Sequence, residues 1–306
     1  MVEARSRITG IARRTRMHPS TVVAATLKLE CEQETGSFKL RGAANRLLTL
    51  TPAERQRGVV AVSSGNHGRA VAAVASGLGV AATVCLSSRV PAGKMAAIES
   101  LGARVVVAGP TQDDADTAAR RLSADEGLTM VHPFDDPMVI AGQGTVGLEI
   151  VEDRPGVDTV VVPLSGGGLA SGIAAAVKGM NPSIRVIGAS QDRGPAMHLS
   201  LQAGRLVDVE EEDTLADALA GGLGPSNRHT FSMCRRLLDA TVLVTEAEIA
   251  AAVAALHRDD GLVVEGGGAV AVAAVLFGRI PMTPAMVAVV SGGNIDETVL
   301  RRLLGG

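Results

Sequence analysis

The sequence lacks two residue types altogether, because it contains no tryptophan and no tyrosine among its 306 residues. A tyrosine phenol therefore cannot serve as a catalytic acid. The net charge is only −3 and no basic run is longer than Arg13-Arg14, which argues against a nucleic acid as the main partner. No apolar stretch reaches the length of a membrane span, and the charged residues near the start do not resemble a signal peptide.

Cysteine is also scarce. Cys31, Cys85 and Cys234 are far apart and odd in number, which fits neither a disulfide framework nor a zinc site. The six histidines show no pair at metal-ligand spacing, so no metal ligand is predicted. These absences predict a reduced, cytoplasmic protein that acts on a small molecule, without a membrane or nucleic-acid partner.

Short apolar runs, rich in valine and alanine, alternate with helical segments over most of the chain, and 46% of the residues are hydrophobic. Continuous apolar strands spaced by helices are typical of parallel sheets covered on both faces, so the sequence predicts an α/β fold. The predicted strands are residues 59–62, 81–86, 104–107, 128–131, 159–162, 184–187 and 286–290.

Four polar turns contain glycine, and most of them follow an apolar run. They are residues 37–42 (Ser-Phe-Lys-Leu-Arg-Gly), 63–68 (Ser-Ser-Gly-Asn-His-Gly), 165–169 (Ser-Gly-Gly-Gly-Leu) and 291–294 (Ser-Gly-Gly-Asn). Turns at the ends of several strands are expected to build one site. Lys39 carries the chemistry, since a lysine close to a core can lose its proton and attack the aldehyde of pyridoxal phosphate (PLP). The alternative interpretation is that Lys39 is a solvent-exposed residue at the start of a helix.

The turn at residues 165–169 has the properties of a phosphate cradle. Its glycines let the backbone approach a ligand, and the N–H groups of the following helix favour an anion. A dinucleotide site of an oxidoreductase is the rival interpretation, because Gly166, Gly168 and Gly172 loosely follow that fingerprint and Asp192 lies about 20 residues on.

The other two turns offer groups for a cofactor ring. Asn66 can bond a phenolic oxygen, and the neighbouring backbone N–H groups can hold a carboxylate. Ser291 can face a ring nitrogen, and an uncharged hydroxyl there suits elimination of a β leaving group. His67 is either a base or a structural hydrogen bonder, and Glu265 is either a second titratable group or a solvated carboxylate.

Together these stretches resemble the fold-type II PLP enzymes (tryptophan synthase β-like), within the serine/threonine dehydratase and serine racemase group. The resemblance covers nearly the whole chain. The matching segments are residues 37–42, 63–68, 91–94, 102–103, 131–134, 141–145, 165–169 and 291–294. It implies a two-lobed homodimer, with residues 1–57 and 136–306 forming a large PLP-binding domain and residues 58–135 a small one.

The resemblance also implies a role for each site residue. Lys39 would carry the Schiff base and act in catalysis, with Ser64 as a second base on the opposite face. The remaining residues would hold the cofactor (Phe38, Asn66, Gly166, Gly167, Gly168, Leu169 and Ser291) or the substrate (Ser63, Ser64, Gly65 and His67).

Two departures from the family pattern shape the predicted activity. Ser190 and Ala196 stand where metal-binding relatives place carboxylates, so we expect no divalent cation. Residues 192–197 and 215–228 resemble the hydroxyectoine-utilisation dehydratases, which favours a 3-hydroxylated diaminobutyrate over threonine and serine as substrate. The predicted reaction is ammonia elimination from a β-hydroxy-α-amino acid. The alternatives are an amino-acid racemase, a non-catalytic PLP-binding protein and an NAD-dependent oxidoreductase.

Overall fold

The computed structural model describes residues 1–63, 65–90, 92–224 and 226–305, apart from the side chain of Asp113. Their strands are β1 (Met17–Pro19), β2 (Thr26–Leu29), β3 (Val59–Val62), β4 (Ala82–Leu86), β5 (Arg104–Val107), β6 (Thr129–Met130), β7 (Thr159–Pro163), β8 (Arg185–Gln191), β9 (Ala240–Val244) and β10 (Met286–Val290). Their α-helices are α1 (Val2–Ile8), α2 (Lys39–Leu48), α3 (Pro52–Arg57), α4 (Asn66–Gly77), α5 (Ala92–Glu99), α6 (Gln112–Asp125), α7 (Pro137–Gln143), α8 (Thr145–Asp153), α9 (Gly168–Met180), α10 (Ala196–Ala203), α11 (Thr230–Leu237), α12 (Glu246–Asp260), α13 (Gly266–Leu276) and α14 (Glu297–Leu303). Short 3₁₀ turns cover Glu30–Glu32 and Asp217–Leu219.

The strands form two sheets. The larger has the order β1-β2-β10-β7-β8-β9, and the smaller has the order β5-β4-β3-β6. Every neighbouring pair is parallel except β1 with β2, which is antiparallel. The α/β fold with parallel-rich sheets flanked by helices, predicted from the sequence, is confirmed. Strands β1, β2 and β9 were not predicted, since β1 and β9 lack a run of buried residues and β2 contains a lysine.

Separate hydrophobic clusters cover the faces of the two sheets. Helix α13 is apolar on all sides, and its residues from Gly266 to Ala273 are fully buried against one face of the larger sheet. The core of the smaller sheet includes Leu40 and Leu47 from α2, although the sequence prediction places this helix in the large domain. The domain boundaries themselves stay a prediction.

Two helices and one polar loop begin shortly after the carboxyl end of a parallel strand. Three residues separate the end of β3 from the start of α4, four separate β7 from α9, and the loop at residues 291–294 follows β10 directly. In α/β sheets this edge is where ligands bind. The fold therefore brings three of the four polar turns to strand ends, and the fourth turn starts α2. None of the described helices has the length and apolar character needed to cross a bilayer.

Candidate active site

Lys39 is the first residue of α2, and its amine lies inside the protein. The Nζ atom donates a hydrogen bond to the carbonyl oxygen of Pro133 at 2.8 Å and lies 5.3 Å from the centre of the Phe38 ring. Loss of water around the amine lowers the pKa of Lys39 to about 8, while the carboxylate of Glu265 acts in the opposite direction. A larger fraction of the amine is therefore neutral near pH 7 than for an exposed lysine, as a nucleophile requires.

The segment before Lys39 is joined to the loop that follows β10. The Phe38 N–H donates to the carbonyl of Ser291 at 3.1 Å, and the Gly293 N–H donates to the carbonyl of Gly36 at 2.9 Å. Gly36 has φ +75°, and a Cβ there would overlap the amide of Asn294. Only glycine combines that backbone conformation with that close approach. These bonds hold Ser291 next to the start of α2.

The glycines at residues 166–168 form the start of α9. Gly167 has φ +86°, and a Cβ on Gly166 would overlap the ring of Phe134. The N–H groups of the first turn have no partner within the helix, which makes this end of α9 suitable for a phosphate. Phe134 follows Pro133 in the chain, so the cradle adjoins the amine of Lys39.

Asn66 is the first residue of α4 and is buried. Its Nδ2 atom donates to Oε1 of Glu265 at 2.6 Å, and its Oδ1 atom accepts from Nδ2 of Asn294 at 2.6 Å. Glu265 is only 6% exposed, so it is not the solvated loop carboxylate that the sequence also allowed. Burial raises the pKa of Glu265 to about 7.

His67 is buried, and its Nε2 atom lies 2.8 Å from the carbonyl oxygen of Val131. Because a carbonyl oxygen only accepts, this nitrogen carries the proton. Burial, assisted by the charge of Lys39, lowers the pKa of His67 to about 3, so the ring is neutral near pH 7. In the same turn the Gly65 N–H donates to Oγ of Ser63 at 3.2 Å. Ser64, predicted as a second base and substrate ligand, lies outside the described residues.

Asp135, Asp136 and Ser190 make structural contacts. Asp135 accepts from three backbone N–H groups at the start of α11, and Asp136 accepts from two at the start of α7. Ser190 is buried and its hydroxyl donates to Gln191 at 3.1 Å. Among the described residues there is no group of three or more metal-ligating side chains. Metal independence remains a prediction.

A buried ionic cluster lies beneath the start of α2, and sequence reasoning missed it. It consists of Lys28, Glu30, Arg41 and Glu149, each less than 5% exposed. Arg41 bonds Glu30 at 2.7 Å and Glu149 at 2.6 Å, and Lys28 bonds Glu149 at 2.6 Å. The nearest signal in the sequence is the alternation of charge in residues 28–30 (Lys-Leu-Glu) on an otherwise apolar strand.

The site thus offers a desolvated lysine amine, a glycine-lined helix start and a buried amide. An aldehyde that condenses with the amine, a phosphate for the helix start and a ring oxygen for Asn66 would each meet a suitable partner. Pyridoxal phosphate has all three groups, so the residues present fit this cofactor. The fold and site define a PLP-dependent enzyme.

The comparison with known proteins agrees. Residues 8–292 match the family of pyridoxal-phosphate dependent enzymes, and the chain belongs to this family. It is 52% identical to a putative threonine dehydratase of Sinorhizobium fredii, over 92% of this chain and 85% of the relative. It is 43% identical to an L-threonine ammonia-lyase of Thermotoga maritima, over 99% of this chain and 76% of the relative.

The fold comparison gives the same result. A maize serine racemase superposes with a TM-score of 0.93 at 33% identity, covering 98% of this chain and 94% of that one. A processed threonine deaminase from Solanum lycopersicum superposes with a TM-score of 0.92 at 34% identity, covering 99% and 91%. The predicted family, the PLP cofactor and the lyase class are confirmed, and the dinucleotide-binding alternative for residues 166–168 is set aside.

Proposed function

We propose that this chain is a PLP-dependent ammonia-lyase that converts a β-hydroxy-α-amino acid to a 2-oxo acid and ammonia. The observation that carries the proposal is the buried amine of Lys39, whose pKa is lowered to about 8. Such an amine would hold the cofactor covalently, and in its free neutral form Nζ of Lys39 would take the α-proton of the substrate. The cofactor supplies an electron sink that acidifies this proton. The β-hydroxyl leaves as water, and hydrolysis of the released enamine gives the 2-oxo acid and ammonia.

The other residues of the site bind and orient. Residues 166–169 would hold the phosphate through backbone N–H groups, with Leu169 inside the helix. Phe38 would pack beside the ring, Asn66 would donate to the phenolic oxygen, and Ser291 would offer an uncharged hydroxyl to the ring nitrogen. The turn at residues 63–68, which includes Ser63, Gly65 and His67, holds the substrate carboxylate.

The substrate is proposed to be L-threonine or L-serine, and the names of the relatives support L-threonine. A preference for a 3-hydroxylated diaminobutyrate remains the prediction from residues 192–197 and 215–228. Specificity constants for the three compounds decide between them, because kcat/KM ratios report differential transition-state binding. Formation of the 2-oxo acid is followed with the PLP-loaded enzyme, with Lys39→Ala as the control. A preference for L-threonine contradicts the diaminobutyrate prediction, and no 2-oxo acid from any of the three overturns the proposed function.

Racemisation is the second candidate, because serine racemases of maize and Dictyostelium discoideum share the fold with TM-scores of 0.93 and 0.89. A hydroxyl of Ser64 opposite Lys39 would return a proton to the other face of the α-carbon. Chiral analysis of unreacted L-serine tests this: D-serine should accumulate with the active enzyme and not with Ser64→Ala. Absence of D-serine after long incubation removes the racemase alternative.

We further propose a cytoplasmic homodimer whose partners are small amino acids, with no nucleic acid and no membrane. The three free cysteines, Cys31, Cys85 and Cys234, support a reducing compartment. Light scattering coupled to gel filtration is expected to give twice the 31.2 kDa of one chain. A single-chain mass at working concentration contradicts the dimer.

A further inference from the structure

The side-chain amide of Asn66 is held from two sides, by Glu265 and by Asn294. Glu265 accepts from its Nδ2 atom, and the amide of Asn294 donates to its Oδ1 atom, both at 2.6 Å. The first partner precedes α13 and the second follows β10. One amide on α4 is therefore fixed by two separate segments of the larger lobe.

A backbone carbonyl determines the direction of this chain of hydrogen bonds. Nδ2 of Asn294 also donates to the carbonyl oxygen of Thr35 at 2.8 Å. Because a carbonyl oxygen cannot donate, it must face the nitrogen of Asn294, and this nitrogen in turn faces the oxygen of Asn66. The nitrogen of Asn66 then faces Glu265, which suits a carboxylate acceptor.

Only one of the two N–H groups of the Asn66 amide takes part in this chain of hydrogen bonds. An asparagine amide has two N–H donors, and Glu265 accepts one. The phenolic oxygen of the cofactor is an acceptor, so it requires that Asn66 present its nitrogen. With the amide rotated by half a turn, an oxygen would meet another oxygen there.

Glu265 is a costly residue to bury at this position. Burial raises its pKa to about 7, although the hydrogen bond from Asn66 acts in the opposite direction. A Cβ on Gly292 would overlap its Oε1 atom, so the backbone of the β10 loop makes room for it. A carboxyl group held in this way has a specific role more often than a solvated loop acid has.

We propose that Glu265 is a positioning residue for PLP, because it fixes the amide of Asn66 with one N–H directed to the phenolic oxygen. The inference rests on the proposed function, since it adopts the contact between Asn66 and that oxygen. Glu265 acts through Asn66 and needs no contact of its own with the substrate.

The test is a double-mutant cycle on cofactor affinity. PLP is added to the cofactor-free protein and the change in its visible absorption is followed. Glu265→Ala should weaken PLP binding about tenfold, because it leaves the Asn66 amide free to rotate. Glu265→Gln should stay within about threefold of wild type, since its amide oxygen can accept the same N–H. In an Asn66→Ala background, Glu265→Ala should add no further loss.

Two controls keep the result interpretable. Glu248→Ala removes a carboxylate at the start of α12, where it accepts from the Thr245 N–H and binds Arg279, and should leave PLP affinity unchanged. Asn294→Ala removes the hydrogen bond on the other side of the Asn66 amide, so its loss of PLP affinity should also fail to add to that of Asn66→Ala. This variant replaces Glu265→Ala in the test if Glu265→Ala does not fold. The positioning role is overturned if Glu265→Ala binds PLP with full affinity. It is also overturned if the losses of PLP affinity in the two single variants add in the double variant. Failure of the wild-type chain to bind PLP or to eliminate overturns the proposed function instead.

Discussion

Replacing Arg41 with methionine should destabilise the protein strongly, although this residue touches neither the proposed cofactor groups nor the solvent. Arg41 lies at the centre of the buried ionic cluster, bonded to Glu30 and Glu149, and is 1% exposed. Methionine fills a similar volume but leaves two buried carboxylates with one remaining cation, Lys28. Breaking a buried ion pair from one side costs about 3–5 kcal/mol.

The expected change in melting temperature follows from chain length. An unfolding entropy of about 2.1 cal/mol/K per residue gives roughly 0.6 kcal/mol/K for 306 residues. A loss of about 3–5 kcal/mol then lowers Tm by about 5–8 °C. The matched control is Arg14→Met, which removes exposed ion pairs with Glu152 and Asp153. Such pairs contribute up to about 1 kcal/mol, so Tm should fall by less than about 2 °C.

Circular dichroism melts of both variants at pH 7 and in acid provide the assay. The Arg41 guanidinium, working against burial, holds the pKa of Glu30 below its usual value. The stability from this pair is therefore present above the unfolded-state pKa of a glutamate and is lost as the pH falls through the lower folded-state value. The Tm difference between wild type and Arg41→Met should shrink in acid. Equal melting temperatures for the two methionine variants at pH 7 would refute the assigned role of the cluster.

Four further outcomes are expected. Lys39→Arg should lose both elimination and any borohydride-fixed cofactor, because a guanidinium stays protonated; a reducible adduct elsewhere, found by peptide mapping, contradicts this. Gly166→Ala should weaken PLP affinity about tenfold or more, since the new methyl group overlaps the Phe134 ring; unchanged affinity in the absorption titration argues against the cradle. His67 should show no NMR titration between pH 5 and 8, because its pKa is lowered to about 3; a midpoint near 6.5 contradicts its burial. Activity should survive exhaustive EDTA treatment, because Ser190 offers no anionic oxygen; a loss restored by Mg²⁺ or Ca²⁺ shows a cation site.

The strands of the smaller sheet and the centre of the larger one could be predicted because each is a continuous apolar run. Strand β2 could not, since Lys28 interrupts its pattern. That lysine is paired in the core with Glu149, and the two residues are 121 positions apart in the chain. No local periodicity contains information on such a pairing.

In the candidate site too, local patterns could be predicted from the sequence and contacts between distant residues could not. The glycine turns around Lys39 and Gly166 are short patterns of neighbouring residues, so the sequence indicated them. The burial of Glu265 depends on Asn66, which lies 199 positions earlier, and the sequence therefore allowed a solvated carboxylate equally well. Asp135 likewise caps a helix that begins 95 residues later, a contact that no local pattern could indicate.

These separations also affect how the protein reaches its active form. The hydrogen bonds that hold Asn66 and Asn294 join residues 199 to 259 positions apart. Contacts of such high sequence separation are slow to form, because a long loop must close before they contribute. A chain emerging from the ribosome completes this network only after Asn294 is available. Cofactor binding then adds its own stability to the finished fold alone, so PLP uptake should report complete folding more faithfully than helix content does.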